Sequence, residues 1–211
     1  PGTAAPVELQ FMDVAGGVTG AFLPTGRLIN EVDGIPVTCM DVAMPMVIAR
    51  ADDFGLTGHE SCAELDANRT FFDRMEIIRI EAGRLMGMGD VSESVTPKFG
   101  LLAPPKHGGT ISVRYFMPWK CHPTMAVTGA QCLAACVLAP GTVAEGMVQL
   151  AKDIPVRVTL EHTSGQIDVI VDYEIGEDGF KLISAGLIRT ARKLAEGEVF
   201  VPSQVWDGHP G

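Results

Sequence analysis

The sequence contains no apolar run near the roughly 18 residues that a membrane-spanning helix needs. It is also short of positive charge. Sixteen Lys and Arg stand against 26 Asp and Glu, a net charge of −10. That excludes nucleic acid as a partner, because binding a polyanion needs a cationic face to neutralise phosphates. No Cys-x-x-Cys pair occurs, so neither a zinc site nor a dithiol redox motif is expected, and no metal. Glycine-rich nucleotide loops, HExxH and GxSxG are all missing. The first residue is Pro1 rather than Met, so the sequence reads like the middle of a longer protein.

What is present is material for a core. Apolar residues make up 46% of 211 positions and charged residues 20%, which excludes a disordered chain. The length suits one domain or a little more. The five cysteines are Cys39, Cys62, Cys121, Cys132 and Cys136. Cys132 and Cys136, four apart in an apolar run, share a helix face and read as small buried hydrophobes. Free thiols and ten Met in an acidic chain suit a reducing cytosol, so a cytoplasmic location is expected.

Period-two alternation predicts a strand over residues 7–14, a turn at Ala15-Gly16-Gly17 and a return strand over 18–24, together a hairpin. Ile35–Met40 and Met44–Ala49 are short apolar runs, with Pro36 and Pro45 marking strand starts or edges. Phe71, Met75, Ile78, Ala82 and Leu85 recur at helical spacing, with Asp66 as cap and Gly87 and Gly89 as stops. This amphipathic helix belongs on the outside of a sheet. Further strands are expected at 95–103, 110–117, 156–161, 166–173, 180–189 and 198–201, and the tail from Pro202 is expected to fray.

Residues 127–139 are different. Only Thr128 and Gln131 are polar, so this helix must be buried on every side. With some ten strands expected around it, it should run through the centre of a curled sheet. Its entry, His122-Pro123-Thr124-Met125-Ala126-Val127-Thr128-Gly129-Ala130, gathers free N–H groups and the positive end of the helix dipole. A carboxylate or phosphate fits there without any lysine, held by the Thr128 hydroxyl and approached past Gly129. The bland alternative is that Thr124 or Thr128 merely caps the helix. His122 reads equally as substrate contact or structural hydrogen-bonder. Lys98, opening an apolar strand, is either a buried cation needing an anionic partner or an edge lysine reaching solvent. Ser92, in Gly89-Asp90-Val91-Ser92, lies in a helix stop or in a polar corner of a site. Arg189 closes a strand in a basic cluster, by default as surface decoration and alternatively as an interface contact.

Pro1-Gly2-Thr3-Ala4-Ala5-Pro6, Val37-Thr38-Cys39-Met40-Asp41-Val42-Ala43-Met44-Pro45, Gly89-Asp90-Val91-Ser92, Arg114-Tyr115-Phe116-Met117-Pro118, Cys121-His122, Thr128-Gly129-Ala130 and Ile188-Arg189-Thr190-Ala191-Arg192 together resemble the PrpF family. That family includes 4-oxalomesaconate tautomerases and isomerases and 2-methylaconitate isomerase. The resemblance covers nearly the whole chain. It implies an α+β, diaminopimelate-epimerase-like fold, in which each of two lobes wraps a curled, mostly antiparallel sheet round an apolar helix. Residues 1–211 would be the second lobe, with 1–15 and 190–211 packing towards the first.

The family's catalytic cysteine and lysine lie in Asn-Cys-Gly-Asn and Thr-Ser-Lys motifs, and neither occurs here. No residue of this chain is therefore assigned as catalytic. Epimerases of this fold carry a second cysteine at the helix entry, where this chain has Ala126. That disfavours two-base racemisation and favours an allylic proton shift. The resemblance implies a cofactor-independent isomerase in a homo-oligomer, acting on a small unsaturated di- or tricarboxylate. Thr128, Gly129 and Ala130 would hold one carboxylate, with Ser92, Lys98 and His122 as further polar contacts. The competing expectation is a non-catalytic carboxylate-binding or assembly domain.

Overall fold

The computed structural model describes residues 5–148, 154–177, 179–190, 193–206 and 208. Its strands are β1 (Pro6–Met12), β2 (Asn30–Val32), β3 (Ile35–Asp41), β4 (Pro45–Arg50), β5 (Lys98–Ala103), β6 (Ile111–Met117), β7 (Lys120–Cys121), β8 (Val156–His162), β9 (Gly165–Gly176) and β10 (Gly179–Thr190). The helices are α1 (Cys62–Ala67), α2 (Arg69–Leu85) and α3 (Val127–Leu138). All ten strands form one sheet in the order β1-β10-β9-β8-β6-β5-β4-β3-β2, with β7 beside β6. Only β4–β5 and β6–β8 pair parallel; the other pairings are antiparallel.

The segment after β1 reaches across to the end of β3, near the other side of the sheet. Ala15 bridges Val42, Gly16 N–H donates to Asp41 O (2.8 Å), and Asp41 N–H donates to Phe22 O (3.0 Å). Inside the curl runs α3, with Gly129 through Leu138 all buried. Leu133, Cys132, Cys136 and Val137 pack against Met40, Met46, Ile48, Val113, Val158 and Val169. Each fully buried side chain of Leu or Val size contributes about 1.5–3 kcal/mol. Gly100 of β5 lets the helix in: a Cβ there would lie 2.9 Å from Leu133 Cδ2. The α+β architecture, a mostly antiparallel sheet curled round an apolar helix, is the expected one.

The other face of β3–β6 carries α2. Val37, Cys39, Val47, Phe99, Leu101 and Phe116 pack on Phe71, Phe72, Met75, Ile78 and Ala82. With helices on both faces, β4 is buried along nearly its whole length. Arg79, though charged, is fully buried. Its guanidinium pairs with Glu76 at 2.7 Å through both Nε and Nη2, and Nη2 also donates to Val91 O (2.9 Å).

Several expectations are corrected. Residues 18–24 form turns, and β1 pairs with β10, from Pro6 opposite Thr190 to Met12 opposite Ser184. A strand edge shows its N–H and C=O groups to any partner, near or distant in sequence, so alternation alone did not identify the neighbour. Asn68 caps α2, its Oδ1 accepting from Phe71 N–H (3.1 Å). Asp66 lies inside α1, which Ser61 caps, and its carboxylate accepts from Cys121 N–H (2.8 Å). Leu85 is 44% exposed, in the last turn of the helix. Residues 198–201 form no strand and are exposed. At the tail, Val205 N–H closes a turn on Pro202 O (2.8 Å). The 156–173 hairpin, the β5–β6 hairpin and the proline-marked starts of β3 and β4 stand as expected. Residues 1–4 of the opening motif, and Ala191 and Arg192 of the basic cluster, lie outside the described residues.

Candidate active site

The entry of α3 is built by a chain reversal. After β6, the chain turns through Pro118 and Trp119 into β7, then passes His122 and Pro123 to the helix. His122 N–H donates to Tyr115 O (2.8 Å), which fixes this segment against β6. The His122 ring meets the Tyr115 ring edge-on, centroids 5.7 Å apart. Its Nδ1 accepts from Thr124 N–H (3.0 Å), so the neutral ring carries its proton on Nε2.

Tyr115 also contacts the first turn of α3. A Cβ on Gly129 would lie 2.5 Å from Tyr115 Cε2. Gly129 is therefore small because the Tyr115 ring occupies that space. Burial, with the nearby Cys132, pushes the Tyr115 hydroxyl up to about 12, so it stays protonated. It has no acceptor among the described residues. Tyr115 was passed over in the sequence; an aromatic polar residue in an apolar strand beside a candidate histidine was the available signal.

Ala126 is the N-cap and provides no side-chain cap. The first intrahelical bond is Ala130 N–H to Ala126 O (2.9 Å). The N–H groups of Val127, Thr128 and Gly129 consequently have no acceptor among the described residues, nor does the Thr128 hydroxyl. Neither Thr124 nor Thr128 caps the helix. Thr128 is half-buried, Gly129 and Ala130 buried. The Ala130 N–H is used within the helix, so three donors face outward, from Val127, Thr128 and Gly129. An anion at such an end is stabilised by these dipoles without a formal charge.

Lys98 opens β5, opposite Met46 of β4 and one residue before the Phe99–Phe116 pair. Since β5 lies between β4 and β6, Lys98 is not on an edge strand. Alternation puts it on the face of Gly100 and Leu102, the face that α3 covers. It is half-buried, and no carboxylate pairs with it among the described residues. Burial, then the Arg79 charge, lowers its proton affinity. Ser92 sits elsewhere, in the turn after α2, where its N–H donates to Asp90 Oδ1 (3.0 Å). No hydrogen bond joins Ser92 to α3. Arg189 is exposed near the end of β10, opposite Val7. The structure thus brings together His122, Tyr115, Thr128 and Gly129, and leaves Ser92 apart.

Cys121, Cys132 and Cys136 are raised from the ordinary thiol value. Cys132 and Cys136 are fully buried in α3, and burial raises both, Cys136 to about 12. Cys121 is raised by burial and by its hydrogen bond with Cys62. Among the described residues no cluster of three His, Cys, Asp or Glu is placed to hold a metal. No helix of the described residues is long and apolar enough to cross a membrane.

Known proteins resemble this chain in sequence and in fold. The chain is 41% identical over 201 residues to the (4E)-oxalomesaconate Delta-isomerase of Novosphingobium sp. (strain KA1), covering 95% of this chain and 56% of that protein. It is 40% identical over 208 residues to the 4-oxalomesaconate tautomerase of Pseudomonas putida, covering 99% and 56%. The crystal structure of a methylitaconate-delta-isomerase superposes with a TM-score of 0.82 at 27% identity, covering 97% of this chain and 57% of that one. The chain spans a little over half the length of the relatives it matches. A sequence model described as PrpF protein matches residues 1–202, so the chain belongs to the PrpF family.

Proposed function

We propose that this chain forms one wall of the active site of a cofactor-independent isomerase that moves a proton along an allylic system. The substrate is a small unsaturated di- or tricarboxylate, 4-oxalomesaconate or 2-methylaconitate. One observation carries the reading: three N–H groups and a hydroxyl stand unpaired at the end of a buried helix whose cap is an alanine. The names of the relatives, an isomerase and a tautomerase of oxalomesaconate, support it.

In this reading Val127, Thr128 and Gly129 hold one substrate carboxylate. Removing a proton next to a carbonyl or carboxylate builds enolate charge, and preorganised donors lower that barrier because they need no rearrangement. His122, with its proton on Nε2, and the Tyr115 hydroxyl are donors on the same side. Lys98 offers a cation to a second carboxylate. No residue of this chain is assigned to take or return the proton, since the family's cysteine and lysine motifs do not occur in it. With Ala126 at the cap, this lobe brings no thiol to the reaction, as suits a shift along one face.

The test is proton NMR of the intact enzyme with 4-oxalomesaconate, 2-methylaconitate and methylitaconate in deuterated water. Deuterium should enter one substrate at the allylic carbon. Thr128→Val and His122→Ala should each raise KM, by about tenfold for the loss of a bond to a charged group. Unchanged KM in both variants removes the helix-entry assignment. Binding of all three acids without exchange replaces the isomerase with a non-catalytic carboxylate-binding domain.

A further inference from the structure

Four of the five histidines are His59, His107, His122 and His162, and three of them line one small pocket on the outer face of β6, with His122 close by. The sheet separates it from α3: Ile111, Val113 and Tyr115 face the helix, while Ser112 and Arg114 face outward. The pocket holds about 140 Å³ and is closed by the loop before α1, the β5–β6 turn and the β8–β9 turn.

At its base lies Arg114, only 6% exposed. Its Nε donates to Glu60 O (2.7 Å), and its Nη1 to Val113 O (2.8 Å) and Ser112 Oγ (3.4 Å). Its Nη2 has no acceptor among the described residues. No carboxylate forms an ion pair with it, although two are near. Glu161 is occupied by three backbone donors at 2.7 Å: Lys106, His107 and Gly109 N–H. Glu60 is occupied by Thr57 N–H (2.7 Å) and hydroxyl (2.8 Å) and Gly58 N–H (3.0 Å). Both acids are spent on building the loops, so they pull on the guanidinium from nearby without pairing with it. A buried charge without a direct ion pair is costly, and burial outweighs the two carboxylates and depresses Arg114 from its ordinary value.

We propose that this pocket binds a small oxyanion, a free phosphate or a single carboxylate group, between Arg114 Nη2, Lys106 and the His59 and His162 rings. Its volume falls below the roughly 300 Å³ at which pockets for larger ligands begin, so it accepts one anionic group and not a tricarboxylate substrate. The pocket lies on the face of β6 opposite α3, and the proposal does not rest on the isomerase reading. Ser112 Oγ, between Arg114 Nη1 and His59 Nδ1 (3.3 Å), links the two cationic walls.

The groups facing the two imidazoles set the pH dependence. Burial, then the charges of Arg114 and Lys106, lower His59, against the weaker pull of Glu60 and Glu161. Burial, then Arg114 and His122, lower His162. A bound anion offsets those cations and draws protons onto the rings. Affinity then rises on acidification, by up to about tenfold per pH unit for each proton taken up.

The experiment follows the histidine ring protons by NMR while the purified protein is titrated, in separate arms, with inorganic phosphate and with succinate. Saturable shifts of the His59 and His162 rings are expected, tighter at pH 6 than at pH 8. The arm that saturates first separates free phosphate from a carboxylate source. Lys106→Ala, an exposed position, should weaken binding by up to about fivefold. Arg114→Gln should abolish it, and Lys106→Ala stands in if that variant fails to fold. No saturable shift in either arm, or shifts unaltered by Lys106→Ala and by pH, would overturn the site.

Discussion

The carboxylate of Asp41 grips Thr19 twice, Oδ2 accepting from its N–H at 2.7 Å and its hydroxyl at 2.9 Å. Val18 N–H adds a third bond at 2.9 Å, and Asp41 itself is fully buried. These bonds form a seam between the loop after β1 and the end of β3, beside the Ala15–Val42 bridge. A β-bridge of one residue pair is weak, so the buried carboxylate and its several donors reinforce the few backbone bonds that hold the loop to β3. Asp41→Ala should lower the unfolding free energy by about 3 kcal/mol, since it leaves these donors without an acceptor. Thr19→Val, which removes one bond of three, should cost about 1 kcal/mol. Urea unfolding measures both, and equal losses would show that the hydroxyl, not the carboxylate, closes the seam.

Gly129 offers a second test of packing. A methyl there must displace the Tyr115 ring, which is itself 3% exposed. Gly129→Ala should therefore destabilise by about 1–3 kcal/mol, despite the better helix propensity of alanine. Gly129→Ala combined with Tyr115→Leu should recover part of the loss. If Gly129→Ala stabilises instead, the ring is not packed on the helix turn.

The central helix was legible because its sequence offers no polar face: a run such as Gln131 to Leu138 has one polar residue, and burial follows from that alone. The α2 stripe and the two local hairpins were legible through periodicity for the same reason. What was not legible depends on partners far along the chain. β1 meets β10 some 180 residues later, and its alternation is the same whichever strand it joins. Arg79 looks like a surface charge in the helical pattern; only the Glu76, Val91 and Pro97 oxygens around it make burial tolerable. The α3 entry was found from its residues, yet the reason for Gly129 was not, because the Tyr115 ring reaches it from another strand. The pocket at Arg114 combines Ser112 and Arg114 of β6 with residues from three loops far apart in the chain, and no spacing announces it.

Stability should fall on mild acidification. His59 and His162 are both lowered from their ordinary value, burial first and the neighbouring Arg114 next. A histidine whose folded value is depressed leaves the unfolded chain to bind protons first. Its contribution is complete above the unfolded value of about 6.5 and is lost as pH falls through that value towards the folded one. Glu161 and Glu60 act at lower pH. Burial pulls each up, but the backbone donors pull further, and the net direction is down. Their contribution is present above about 4.3 and disappears below it. Melting temperature against pH should show two steps. His59→Gln with His162→Gln should flatten the upper step alone, and an unchanged upper step would assign it to other groups.

Lys98 separates binding from folding. It is half-buried on the α3 face of β5, and no acid neutralises it among the described residues. If its ammonium serves a substrate carboxylate, Lys98→Met removes an interaction made equally in the ground state and the transition state. KM should rise, roughly tenfold to a hundredfold for a charge-assisted bond, while kcat stays near its original value. Stability should hold or improve, because an uncompensated cation leaves a partly buried place. Lys98→Arg should restore part of the affinity, since the charge returns with altered reach. A structural lysine would show the opposite split. Its loss would lower the melting temperature, and KM and kcat would be the same for whatever protein remained folded. Steady-state kinetics and thermal unfolding on the same three proteins decide between the two roles.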